Sequence, residues 1–177
     1  PTMLSYGSSA FVHSVSQDLL DDLLAVYQPE EAFSIMSIAS LRVIRPSVTN
    51  SRMSAQYEKS FISEFYPGAA LSTNTVSRLL QKIGQDGQRR KQFYDRRIAA
   101  TAAEHHVAID GTLKQDTSTV NDLSHFSYKG RVKGRKELSV LYAYDIERME
   151  PICAEVFPGN SIDASSYPAF IKDNDIR

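Results

Sequence analysis

The spacing of apolar residues changes once along the chain, and that change limits the fold more than any other feature. Up to about residue 103 the apolar positions recur at helical intervals. Beyond it they gather in short β-branched and aromatic runs. Helices followed by strands predict an α+β protein with a helical region, 1–103, and a strand-bearing region, 104–177.

Five helices are expected in the first region. Ser16 to Tyr27 has a serine cap, early acids and leucines at helical spacing. Pro29-Glu30-Glu31 opens a second helix, with the acids beside its positive end, and Arg45-Pro46 closes it. A third lies within Ser51–Phe65, stopped by Pro67-Gly68. Ser72 caps a fourth that carries Val76, Leu79, Leu80 and Ile83. A fifth runs from near Asp86 to about Ala103. The third and fourth could form a helix-turn-helix, but ordinary helical packing explains their pattern more simply.

In the second region, His105 to Asp110 reads as a strand ending in an acid, followed by a long polar loop over 112–136. Glu137–Ile146 is apolar on nearly both faces, as a central strand would be. Pro151–Phe157 is close enough to pair with it as a hairpin, and a helix from Asp163 to Lys172 follows. His105 and His106, as neighbours on a strand, would point to opposite faces and could not easily share an ion. The lone Cys153 reads as a buried strand residue and excludes a disulfide framework.

Charge is unevenly distributed. The formal net charge of −1 conceals two basic stretches, 78–97 with seven basic and two acidic groups, and 129–136 with five basic and none acidic. Such blocks either form a solvated surface or steer a polyanion. In a helix, Arg89, Arg90, Arg96 and Arg97 fall within an arc of about 120°. The glycine-punctuated run Lys129, Arg131, Lys133, Arg135 and Lys136 could track a phosphate backbone. No apolar run approaches the roughly 20 residues of a membrane span, and no secretory signal is visible, so a cytoplasmic protein without a membrane partner is expected. The start at Pro1 and the close at Arg177 without a finishing element read as cut ends.

Asp110 is the sharpest candidate for chemistry. A carboxylate at the end of an apolar strand, beside Gly111 and Thr112, suits a hard cation, although a turn aspartate before glycine is as common. The stretches HHVAIDGT, YKGRVKGRKELSVLYAYD and PICAEVFPGNSID together resemble the core of bacterial insertion-sequence transposases of the DDE class. LSTNTVSRLLQKIGQD and the RRKQFYDRR helix resemble the segment that precedes that core. The resemblance implies an incomplete RNase H-like fold, a three-stranded antiparallel meander plus one helix, with Asp110 as catalytic residue and metal ligand for Mg²⁺ or Mn²⁺. It also implies DNA as partner, both transposon ends and target, held by Arg89, Arg90, Lys91, Arg96, Arg97, Lys129, Arg131, Lys133, Arg135 and Lys136. A homodimer is left open.

The family's second Asp and its Glu have no counterpart in this sequence. Asp145, Asp163 and Asp173 are poor substitutes on the inferred topology. The chain is therefore expected to be the N-terminal part of such an enzyme and inactive alone, or a non-catalytic DNA-binding or regulatory remnant. An unpaired edge on the first strand, with Val107 and Ile109, would favour self-association.

Overall fold

The structure, a computed structural model, describes residues 3–130, 133–161 and 163–176. The fold is α+β, with eight α-helices and a four-stranded antiparallel sheet among the described residues. The chain divides into two compact units, Pro1–Phe93 and Tyr94–Arg177. The division falls inside the seventh helix rather than after it, because Phe93 packs on the helical core while Tyr94 and Ile98 pack on the sheet.

The first unit holds α1 (Gly7–Val15), α2 (Gln17–Leu24), α3 (Pro29–Ile44), a 3₁₀ turn (Asn50–Arg52), α4 (Met53–Tyr57), α5 (Ile62–Phe65), α6 (Thr73–Gln85) and the start of α7 (Gly87–Ala99). Helix α3 follows its sequence signals, with Pro29 in the first turn, Glu30 and Glu31 beside it, and an end at Ile44 before Arg45-Pro46. Ala32, Met36 and Leu41 on this helix are buried against Met53, Ile62, Tyr66 and Val76. The Tyr57 hydroxyl donates to the Tyr66 carbonyl at 2.6 Å and accepts from the Ala69 N–H at 3.3 Å, which satisfies polar groups inside the core. Ser72 caps α6 by accepting from the Thr75 N–H at 3.3 Å.

Two elements differ from expectation here. The single helix expected within 51–65 is broken into the 3₁₀ turn, α4 and α5. The N-terminal segment causes the break. The Ser5 N–H donates to the Lys59 carbonyl and the Phe61 N–H donates to the Ser5 carbonyl, drawing the 58–61 backbone out of the helical pattern. Helix α1 was not expected. It has no side-chain cap, and Phe11 and Val15 are exposed, so it lacks the apolar stripe that marks a helix in sequence.

The second unit is built on the sheet. Its strands are β1 (Val107–Gln115), β2 (His125–Phe126), β3 (Lys136–Asp145) and β4 (Glu150–Pro158), followed by α8 (Asp163–Asp173). Strand β3 is central. It pairs with β1 from Val107↔Asp145 to Gln115↔Glu137 on one edge, and with β4 and then β2 on the other. The 112–136 stretch, expected as loop, therefore contributes the end of β1 and the short β2. One face of the sheet buries Leu141, Ala143, Ile152 and Cys153, with Phe170 of α8 packed in the same cluster. The opposite face leaves Tyr142, Tyr144 and Val156 partly open to solvent.

Two glycines are fixed by close approach. A Cβ on Gly111 would lie 2.9 Å from Leu141 Cδ2 and 3.2 Å from the Tyr167 hydroxyl, so α8 seats over β1 where no side chain intervenes. A Cβ on Gly159 would lie 1.9 Å from the Glu137 carbonyl oxygen and 2.8 Å from that of His125. Met149, in the β3–β4 turn, holds the left-handed conformation (φ 56°) and is 74% exposed. A non-glycine residue there carries a local conformational cost of order 1 kcal/mol or more.

Substitution at two of these positions tests the backbone argument. Gly159→Ala should destabilise by about 2 kcal/mol or more in urea titration, because the obstacle is backbone and cannot rotate away. Met149→Gly should stabilise by up to about 1 kcal/mol in the same titration, since it removes strain without losing burial.

Candidate functional site

Asp110 lies in the middle of β1, not at its end, because Gly111 to Gln115 continue the pairing with β3. Its cross-strand partner is Tyr142, and alternation places it on the open face with Ala108 and Thr112. The carboxylate is exposed, and its Oδ1 accepts the Gly111 N–H at 2.8 Å. Asp163, at the start of α8, pairs instead with Lys129.

The basic residues are largely committed within their own units. Arg89 reaches Glu31 at 3.2 Å and Asp86 at 3.3 Å, and Lys82 shares Glu31. Arg90 donates to the Ile83 carbonyl at 2.8 Å and to that of Gly84, capping the end of α6. Arg97 is 5% exposed and paired with Glu150, which also receives Arg148 at 3.1 Å. The arc predicted on α7 is therefore not a continuous solvent face, since one of its four arginines is an interior ion-pair partner. Lys91 and Arg96 are exposed on α7. In the second cluster, Lys129 binds Asp163, which raises the lysine's pKa, and Arg135 donates to Gln115 at 3.0 Å. Lys133 and Lys136 are exposed. Arg131 lies outside the described residues.

Sequence reasoning missed a cluster at the other end of the sheet. His105 Nδ1 lies 2.8 Å from Asp145 Oδ2, and Asp145 Oδ1 accepts the Arg148 N–H at 3.0 Å. Glu147 accepts the His106 N–H at 2.8 Å and faces His106 Nδ1 at 2.6 Å. The two histidines lie before β1, and each meets its own carboxylate. Asp145 is 1% exposed. Burial alone would push its carboxyl pKa up, but the Arg148 N–H and His105 outweigh it and hold the group below its ordinary value. The hydrogen bond to Asp145 raises the pKa of His105, with Asp145, Glu147 and Glu104 adding as charges. Bonds from the His106 ring and backbone lower that of Glu147.

Among the described residues, His105, Asp145 and Glu147 form a group that could hold a metal ion, with one ligand atom of each within 4.8 Å of the others. Asp110 is not in it. A cavity of about 300 Å³ adjoins His105 and is lined also by Thr101, Val107, Ile152 and Asp175. The signal for this cluster is the β1–β3 register. Continuing the pairing Val107↔Asp145 by two residues sets His105 opposite Glu147. That register cannot be read from the sequence without knowing how far β1 extends.

Comparison with protein-family models, curated proteins and solved structures found no match for the chain. Among the described residues no helix is long and apolar enough to cross a membrane.

The cluster predicts a pH dependence for the metal-free protein, measured with a chelator present. The His105 contribution is complete below that residue's ordinary value of 6.5 and is lost as pH rises through its raised value in the folded protein. The Asp145 and Glu147 contributions are complete above their ordinary values of 3.8 and 4.5 and are lost as pH falls through the lowered ones. The melting temperature should therefore peak between pH 4.5 and 6.5. His105→Gln should flatten the alkaline decline; an unchanged decline in that variant would exclude His105 as its source.

Proposed function

We propose that the chain is part of a DDE-type transposase, with an RNase H-like sheet, and that it binds DNA without cutting it. The observation that carries this reading is the antiparallel order β1–β3–β4 followed by α8, with Asp110 projecting from the open face of the first strand. It supports the reading because the resemblance implies an antiparallel meander followed by a helix, with Asp110 on the first strand.

The residues around Asp110 do not fit a Mg²⁺ or Mn²⁺ centre. Such ions need several oxygen ligands, and the described side chains that could share a metal gather elsewhere. No cleavage step is therefore derived through Asp110. The same observation favours a second reading, in which the chain is a non-catalytic DNA-binding regulator related to such transposases.

DNA contact in either reading falls to the exposed lysines at and just before the start of β3, Lys133 and Lys136. Electrophoretic mobility shift at several salt concentrations tests this. Binding to duplex DNA should weaken steeply with salt. Lys133→Glu with Lys136→Glu should make the logarithmic salt slope shallower by about 1 for each phosphate that is no longer neutralised. Absent or salt-insensitive binding would overturn the reading. Incubation of DNA with the chain and Mg²⁺ or Mn²⁺ should yield no nicking, and cleavage abolished by Asp110→Asn would show instead that the site is active.

A further inference from the structure

We propose that His105, Asp145 and Glu147 bind one divalent cation of the zinc type, which clamps the segment before β1 to the β3–β4 turn. The inference is independent of the DNA reading and concerns the opposite end of β1 from the basic loop.

The donor set selects the metal. One imidazole and two carboxylates suit a borderline ion such as Zn²⁺, whereas Mg²⁺ demands near-octahedral oxygen coordination. Two carboxylates and a neutral imidazole also balance a charge of +2. Three protein ligands leave a fourth position for water.

The geometry is close to what coordination requires. His105 Nδ1 and Asp145 Oδ2 are 2.8 Å apart, with the hydrogen bond between them. Metal bonds of about 2.0–2.2 Å in a tetrahedral site set neighbouring donors about 3.3 Å apart, so the two groups need open by only about 0.5 Å. The ion takes the place of the bridging proton, and the imidazole binds through Nδ1 as its Nε2–H tautomer. The third donor, from Glu147, is already within 4.8 Å.

The carboxylates are held in position before any ion arrives. The Arg148 N–H fixes Asp145 through Oδ1, leaving Oδ2 toward His105. The His106 N–H and ring fix Glu147. Such outer hydrogen bonds orient ligands and support affinity, and each carboxylate oxygen keeps a lone pair beyond the bond it already accepts. His105 is set by its own N–H, which donates to the Ala102 carbonyl at 3.0 Å. The Ile146 N–H donates to the His106 carbonyl at 3.0 Å, so the two segments the ion would join are already in register. The rival donor Cys153 is buried in the sheet.

The test is titration of the chelator-treated full chain with Zn²⁺, followed by calorimetry and thermal melting, and with Co²⁺, followed by visible absorption. One ion per chain is expected, with a rise in melting temperature, a Co²⁺ spectrum of low coordination number, and no response to Mg²⁺ at the same concentration. His105→Gln and Glu147→Gln should each weaken Zn²⁺ at least tenfold. Glu147 is exposed, so its variant should fold even if the His105 variant does not. Failure of Zn²⁺ to raise the wild-type melting temperature, or undiminished affinity in Glu147→Gln, would overturn the proposal.

Discussion

Strand β3 is the only described strand hydrogen-bonded along both edges, and every other strand is held through it. Its ten residues set the register of β1, carry β2 and β4, and supply Leu141 and Ala143 to the buried face. Its last residue, Asp145, is a buried carboxylate that ties the following turn through the Arg148 N–H and the preceding segment through His105. A charge at that depth is tolerated because both oxygens have donors. The sheet is thus closed at this end by polar contacts rather than by further strands.

Much of this architecture was legible in the sequence, wherever a local rule acts alone. Pro29 with two acids starts α3, and Ser72 starts α6, because capping chemistry depends on neighbours in sequence. The apolar runs of β3 and β4 were equally plain. The features that escaped depend on distant partners. The helix over 51–65 is broken by Ser5, more than fifty residues away. The end of β1 and the two residues of β2 lack a sustained apolar run and become strands where β3 offers them hydrogen bonds. The His105 cluster depends on that same register.

The basic stretches show the same limit for electrostatics. As runs of letters they suggest a cationic surface. In the fold Arg90 serves the carbonyls that end α6, Arg89 serves Glu31, and Arg97 is an interior partner of Glu150. Arginine lends itself to such work, since its planar fork can meet carbonyls and carboxylates in several directions at once. Several of the cations counted in the sequence are thus engaged within the protein itself.

The crossing of Gly159 over Glu137 bears on how this protein would respond to random mutation. Every residue other than glycine brings a Cβ into the same carbonyl oxygen, so position 159 should reject all nineteen replacements whatever their polarity or size. A saturation screen scored by function would show there the uniform intolerance usually taken as the mark of a catalytic residue. At Gly159 it would mark a place where two stretches of backbone pass too closely for a side chain, and position 110 would have to be judged against that background.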